Sequence, residues 1–135
     1  MTQLRISVAM GDYDRTRALS DGRVQIDGCD PVYMRLSPEE MFFRTMRSQD
    51  FDNTELSFSS YLVKHSRGQS PYIAVPVFLS RAFRHTSIYV RKDRIHQPAD
   101  LRGKRIGIPE YQLTALVWAR SIMKDDYGIG PEDWY

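Results

Sequence analysis

Cysteine is almost absent from this sequence, since Cys29 is the single one among 135 residues. An internal disulfide and a metal site built from several cysteines are therefore excluded. The sequence also lacks an apolar run long enough to span a membrane, so we expect no membrane partner. Its first residues lack the apolar core of a secretory signal and enter a strand pattern almost at once. These absences predict a cytoplasmic protein.

An excess of charge of one sign is lacking as well. The 19 Lys and Arg residues are scattered among 17 Asp and Glu, for a net charge of +2. A nucleic-acid-binding protein usually clusters its basic residues on one face, so we expect no nucleic-acid partner. With 41% hydrophobic and 27% charged residues, the composition is that of an ordinary globular domain. The length suffices for one substantial core.

Hydrophobic periodicity predicts strands and helices in alternation. The predicted strands are Leu4–Ala9, Pro31–Leu36, Glu55–Phe58, Tyr72–Phe78, Thr86–Lys92 and Arg105–Pro109. The predicted helices are Arg15–Leu19, Pro38–Gln49, Ser59–His65 and Tyr111–Tyr127. Such alternation is typical of an α/β protein, and we predict a mostly parallel sheet with flanking helices.

The helix after Ser37 has the clearest signals. Ser37 can cap it, Pro38 suits its first position, and Glu40 completes an S-x-x-E capping box. The apolar face that should pack on the core consists of Met41, Phe42, Phe43 and Met46.

The segment Tyr72–Phe78 is nearly all apolar, as expected for a strand buried on both faces. Pro76 removes one ladder donor, which predicts an edge or a bulge at that point. Farther along, a composition shift at Lys92–Pro98 is the best boundary, and it divides the chain into domains 1–93 and 94–135.

A polar loop follows this apolar segment and carries three potential cations, Arg81, Arg84 and His85. Open α/β sheets place ligand groups just past the carboxyl ends of their strands. Cations beside Phe78 and Phe83 suggest a pocket for a flat, anionic molecule. The competing interpretation is that all three are solvated loop residues.

Other polar residues also lie where predicted strands end. Ser59 and Ser60 stand at a strand-to-helix junction, where hydroxyls and backbone N–H groups can hold an anion, although serines there are more often simple N-caps. The remaining candidates are Asp12, Tyr13 and Asp14 after the first strand, and Glu110 and Tyr111 at the start of the last helix. If the four polar loops gather at one edge of the sheet, they form one site.

Several motifs resemble those of a known family. They are G-D-Y-D-R-T at 11–16, S-F-S-S-Y at 57–61, S-R-A-F-R-H at 80–85 and G-I-P-E-Y at 107–111. A strand ending in V-R-K-D, followed by D-L-R-G-K-R-I-G-I-P and a helix, resembles the crossing into the second lobe of type II periplasmic-binding-protein folds. Within that superfamily the chain most closely resembles the 4,5-dihydroxyphthalate decarboxylase family. Members run to more than twice this length, so the resemblance implies a first lobe and the start of a second.

The resemblance implies conversion of 4,5-dihydroxyphthalate to 3,4-dihydroxybenzoate (protocatechuate) and CO2. Arg81 and Arg84 would then bind the substrate carboxylates, because guanidinium binds carboxylate bidentately. His85 would be the acid, since an imidazole side chain can exchange a proton near working pH. Asp12 or Asp14 would accept a phenol proton. Further substrate contacts would come from Tyr13, Ser59, Ser60, Glu110 and Tyr111.

No organic cofactor is required, because a ring hydroxyl para to the leaving carboxylate supplies the electrons. A divalent metal held by Asp12, Asp14 and His85 is a second possibility, which no motif spacing supports. Each proposed role also has a simpler structural rival. Arg84 would face solvent, His85 would cap the following strand, and Asp12 and Asp14 would pair with Arg15 or Arg17.

A solute-binding protein of the same fold, which holds an anionic aromatic ligand without turning it over, is the second functional hypothesis. We also expect this chain alone to expose apolar surface at Tyr72–Phe78 and on the last helix. Its macromolecular partner would then be another copy in a homo-oligomer, or the remainder of a larger chain.

Overall fold

A computed structural model of the protein describes residues 2–135. Its strands are β1 (Leu4–Met10), β2 (Cys29–Arg35) and β3 (Asn53–Thr54). Its α-helices are α1 (Arg17–Ser20), α2 (Pro38–Arg47), α3 (Phe58–Ser66) and α4 (Thr114–Tyr127). Short 3₁₀ helices occupy Arg84–Ser87, Pro98–Leu101 and Pro131–Asp133.

The three strands form one parallel sheet in the order β2-β1-β3. Leu4 of β1 pairs with Cys29 of β2, and Val8 pairs with Asn53 of β3. The predicted α/β class and parallel sheet are therefore confirmed, as are the first two strands. The prediction for the third strand is wrong in position, because Glu55–Phe58 lies beyond β3 and Phe58 already begins α3.

Helix α2 begins as its sequence signals predict. The Glu40 N–H donates to the Ser37 hydroxyl oxygen at 3.3 Å, and Pro38 occupies the first turn. Met41 and Thr45 are completely buried on one face of α2. Phe43 is 66% exposed, so its predicted place in the core is wrong. At about 100° per residue it lies well away from the face that Met41 and Thr45 share.

Contacts divide the described residues into two compact units. The first contains those up to Ser57 together with Lys64–Arg81, and the second contains Phe58–Val63 and Ala82–Tyr135. Each unit has its own apolar core. Ala9, Met41 and Phe51 form the first core, and Leu101, Met123 and Ile129 form the second. The predicted division into the N-terminal part of a first lobe (1–93) and the start of a second lobe (94–135) stays a prediction.

Three predicted strands are absent from the sheet of the described residues, namely Tyr72–Phe78, Thr86–Lys92 and Arg105–Pro109. In the first, the Val77 N–H donates to the Val75 carbonyl at 2.7 Å, so the chain turns at Pro76 instead of extending. In the second, a 3₁₀ helix at Arg84–Ser87 takes up the opening residues. In the third, the Ile106 N–H donates to the Tyr135 carbonyl and the Tyr135 N–H donates to the Lys104 carbonyl, but neither segment is a strand.

The expected exposure of apolar side chains is confirmed. Ile73 is 93% exposed, and Val75 and Val77 are each 62% exposed, so Tyr72–Phe78 is not buried on both faces. Trp118 and Tyr127 of α4 are also exposed. Homo-oligomer formation stays a prediction. Within residues 2–135, no helix is long and apolar enough to cross a membrane.

A reciprocal contact between Ser7 and Asp52 fixes the segment before β3 against the middle of β1. The Ser7 N–H and hydroxyl donate to Asp52 Oδ2 at 2.8 and 2.7 Å, and the Asp52 N–H donates back to the Ser7 hydroxyl at 2.8 Å. The Ser7 N–H, and then its hydroxyl, hold the pKa of the Asp52 carboxyl below its ordinary value. The ionised carboxylate therefore stabilises the fold.

Replacing Asp52 with Asn should lower the free energy of unfolding at neutral pH. Because the pKa of Asp52 is lowered in the folded state, its contribution is present above the unfolded value of about 4 and is lost as pH falls through the folded value. The difference between wild type and Asp52→Asn should thus shrink in acid, as measured by urea unfolding at several pH values. Asp30→Asn, at an exposed position of β2, is the control. A difference that is independent of pH would contradict this role.

Candidate functional site

The carboxyl end of β1 brings a polar loop and a carboxylate together. Met10 is buried and ends β1, and the loop Gly11–Arg15 follows it. After β3, the Glu55 N–H donates to the Ala9 carbonyl at 2.9 Å. Because β1 and β3 run parallel, their ends meet at the same edge of the sheet, and Glu55 lies beside the loop.

Glu55 is held there by two residues of the loop. The Tyr13 hydroxyl donates to its carboxylate, at 2.8 Å to Oε1 and 3.1 Å to Oε2. The Gly11 N–H donates to Oε2 at 3.2 Å. An ideal Cβ on Gly11 would lie 2.7 Å from Tyr13 Cζ, closer than real Cβ atoms approach. Gly11 therefore leaves the space in which the Tyr13 ring reaches Glu55.

Arg15 and the segment before Arg81 complete the surroundings of Tyr13. The Arg15 guanidinium lies 4.6 Å from the centroid of the Tyr13 ring, within cation–π range, and donates to the Leu79 carbonyl. Burial raises the pKa of Tyr13, and so do its hydrogen bond to Glu55 and the Glu55 charge. A hydrogen bond from Ser80 and the Arg15 charge act in the opposite direction. The phenol is therefore neutral at physiological pH.

The two aspartates of the loop point to other partners. Asp12 Oδ1 lies 3.8 Å from Arg35 Nη1, a partner that the sequence did not suggest. Asp14 Oδ1 lies 3.7 Å from Arg15 Nη1 and accepts the Arg15 N–H at 2.8 Å, so the predicted pairing with Arg15 is confirmed. Both carboxylates are largely exposed, and a catalytic role for either stays a prediction.

The predicted cations fall in different units. Arg81 is exposed at the end of the first unit, whereas Arg84 and His85 begin a 3₁₀ helix in the second. His85 Nε2 lies 3.3 Å from Asp126 Oδ2 of α4, with both side chains about half exposed. The interpretation of His85 as a strand cap is wrong, because a 3₁₀ helix occupies the position. The roles of Arg81, Arg84 and His85 stay predictions.

His85 also borders an apolar cavity of about 230 Å³ within the second unit. The lining includes Ile88, His96, Leu101, Met123 and Tyr127. Leu101 and Met123 belong to the core of this unit, so the cavity borders that core.

Ser59 and Ser60 occupy the first turn of α3, so the interpretation of them as N-caps is wrong; Ser57 stands at that position. The Ser59 N–H, which lies in the first turn, donates to the Thr114 hydroxyl at 3.0 Å, while the Ser59 hydroxyl donates to the Gln112 carbonyl. Ser60 is buried. Ser59 and Gln112, which belong to two different polar loops predicted from the sequence, thus meet within the second unit.

Tyr111 is covered by an arginine of α4. The Arg120 guanidinium lies 3.7 Å from the centroid of the Tyr111 ring, and its Nη1 donates to the Tyr111 carbonyl at 2.7 Å. Glu110 precedes it and is exposed. Substrate binding by Glu110 and Tyr111, and the gathering of all four loops at one edge, stay predictions.

The described part of the chain contains no cluster of side chains suited to bind a metal ion. Among residues 2–135, no group of three or more His, Cys, Asp and Glu side chains is arranged to hold an ion. The hypothetical set of Asp12, Asp14 and His85 spans both units.

Glu55 is a residue of this edge that the sequence pattern did not identify. The pattern places it at the start of a predicted strand, whereas it directly follows β3, the position that carries ligand groups in parallel sheets. Because the predicted strand begins at Glu55, whereas β3 ends at Thr54, the pattern does not show that Glu55 follows a strand.

Replacing Gly11 with Ala should displace the Tyr13 ring and break its hydrogen bond to Glu55. The pKa of Tyr13 should then return towards its ordinary value of about 10, and the free energy of unfolding should fall by about 1 kcal/mol. Ultraviolet titration of the variant, with and without Tyr13→Phe, isolates this tyrosine. Gly107→Ala is the control, since a Cβ there meets open space. An unchanged Tyr13 titration would show that the ring does not depend on Gly11.

Two curated proteins are similar to the chain along almost its whole length. A 4,5-dihydroxyphthalate decarboxylase of Comamonas testosteroni is 62% identical over 134 residues, which are 98% of this chain and 41% of that protein. A 4,5-dihydroxyphthalate decarboxylase of Pseudomonas putida is 60% identical over 134 residues, or 98% of this chain and 52% of that protein. The chain thus spans about half the length of these relatives. No family model matches it. The resemblance to the 4,5-dihydroxyphthalate decarboxylase family that the motifs indicate is therefore confirmed over 98% of the chain.

Proposed function

We propose that the protein to which this chain contributes converts 4,5-dihydroxyphthalate to 3,4-dihydroxybenzoate and CO2. The observation that carries the proposal is the identity of 60–62% with two decarboxylases over 98% of the chain. Nothing in the described residues favours the solute-binding hypothesis. We further propose a type II periplasmic-binding-protein-like fold, for which the parallel sheet is suitable, and a cytoplasmic location.

The reaction replaces one carboxylate of the substrate by a proton. A ring hydroxyl para to that carboxylate gives up its proton and donates an electron pair into the ring, while an acid protonates the ipso carbon. CO2 then leaves from the keto form, and the electrons of the broken C–C bond restore the aromatic ring. The oxygen takes its proton back, so one proton is consumed overall.

This chemistry needs cations for two carboxylates, an acid and an acceptor for the phenol proton. Arg81 and Arg84 are proposed for the carboxylates, and His85 for the acid. The neighbouring Asp126, at 3.3 Å from His85 Nε2, can accept a hydrogen bond from that nitrogen and so orient the ring. Asp12 and Asp14 remain candidates for the acceptor.

The direct test is CO2 release from 4,5-dihydroxyphthalate by the full reading frame that contains this sequence. We expect release with 3,4-dihydroxybenzoate as the aromatic product. Binding of the compound without release would instead support the solute-binding hypothesis.

Replacement of Arg81 or Arg84 with Met should weaken substrate binding by about ten- to hundredfold. Loss of a charge-assisted hydrogen bond to a buried carboxylate costs on the order of 1.5–3 kcal/mol. The matched control is Arg47→Met on the exposed side of α2. Arg120 is unsuitable as a control because it covers Tyr111. Calorimetric titration in which both variants bind like wild type would place the carboxylate site elsewhere.

Replacement of His85 with Gln should leave binding nearly intact while turnover falls by roughly two to four decades, because an acid acts on the transition state. Steady-state kinetics separate kcat from KM. His65→Gln, at the end of α3, is the control. Normal turnover by His85→Gln would remove His85 from the mechanism.

A further inference from the structure

We propose that the Tyr13–Glu55 pair recognises a ring hydroxyl of the substrate as a hydrogen-bond donor, and thereby orients the hydroxyl-bearing edge of the ring towards the carboxyl end of β1. The inference rests on the proposed function for the identity of the substrate. It assigns a role to Glu55, which touches Tyr13 and acts through it as a positioning residue.

The direction of the hydrogen bonds carries the argument. The Tyr13 proton is committed to the Glu55 carboxylate, at 2.8 Å from Oε1 and 3.1 Å from Oε2, so the phenolic oxygen can only accept from other groups. Tyr13 is only half-buried, and in the proposed binding mode its oxygen accepts a hydrogen bond from a small molecule at this edge. A phenol of the substrate is such a donor, whereas an ionised carboxylate is not.

Charge strengthens this discrimination. The Glu55 carboxylate lies directly behind the Tyr13 hydroxyl and would repel the carboxylates of the substrate. The Arg15 guanidinium, on the face of the ring at 4.6 Å, favours the partial negative charge on the oxygen that accepts a hydrogen bond. A substrate hydroxyl is thus favoured next to Tyr13, and a substrate carboxylate is disfavoured next to Glu55.

The neighbouring aspartates fit this task less well. Asp12 and Asp14 are largely exposed, and each already faces an arginine side chain. Glu55 is fixed by the Tyr13 hydroxyl, whose single proton lies between Oε1 and Oε2, and by the Gly11 N–H. A positioning group must be held in place before the substrate binds, and Glu55 meets this requirement.

The test compares two ligands that share both carboxylates, 4,5-dihydroxyphthalate and phthalate, on the full reading frame that contains this chain. Wild type should bind the dihydroxy compound at least about tenfold more tightly. Tyr13→Phe should lower this ratio by about tenfold and leave phthalate binding unchanged. Glu55→Gln should also lower it, because its amide can donate to the Tyr13 oxygen and occupy the acceptor. Unchanged phthalate binding serves as the check that each variant folds.

Two exposed positions provide matched controls, Tyr89→Phe and Glu39→Gln, which should keep the wild-type ratio. A wild type without preference for the dihydroxy compound, or variants at Tyr13 and Glu55 that keep it, would overturn the inference. CO2 release is measured separately on the same proteins. If CO2 is released but Tyr13→Phe keeps the wild-type ratio of the two affinities, the inference is wrong and the proposed function stands. If the affinity ratios change as expected but no CO2 is released, the inference stands and the proposed function is wrong.

Discussion

The central position of β1 in a parallel sheet is the constraint on which the first unit depends. β1 pairs with β2 along seven residues and with β3 at Val8 and Ala9. Parallel pairing on both sides requires that the chain after each strand emerge at the same edge. The loop Gly11–Arg15 and Glu55 meet for that reason, although 44 positions separate Gly11 from its partner. The Ser7–Asp52 contact fixes the register of β3 against β1. The two strands therefore cannot shift relative to each other without breaking hydrogen bonds to the Asp52 carboxylate.

The same geometry sets the chemical state of Tyr13. A phenol beside a carboxylate in a half-buried place stays protonated, because burial and the Glu55 charge both penalise the phenolate. Ser80 and Arg15 oppose this rise in the pKa of Tyr13 without reversing it. Tyr13 is therefore a neutral hydrogen-bonding group, and Glu55 decides the direction in which its proton points. It is poorly suited to act as a free base at neutral pH.

Local signals in the sequence were sufficient for some elements and not for others. β1, β2 and α2 follow from alternation and from the Ser37 cap, which act within a few residues. Tyr72–Phe78 is apolar, but a strand needs a neighbouring strand to pair with, and no pattern within the segment can supply one. The loop Gly11–Arg15 could be found because a strand signal precedes it. Glu55 could not, because its place depends on the hydrogen bond from its N–H to Ala9 and not on its neighbours in sequence.

The contrast between Glu55 and the two loop aspartates shows how the energetics of a pair decide what it can do. Exposed ion pairs such as Asp12–Arg35 contribute about 0–1 kcal/mol, so a substrate can separate them at little cost. Such residues are free to rearrange around a ligand, and their arginines can turn to it. The Tyr13–Glu55 contact is half-buried and reinforced by a backbone N–H, so a ligand that disrupts it must leave polar groups without partners. The edge of the sheet thus combines one rigid acceptor with adaptable charges around it. In the binding mode that we propose, the ligand hydroxyl meets the Tyr13 oxygen that Glu55 holds in place, and the exposed ion pairs nearby can separate at little cost.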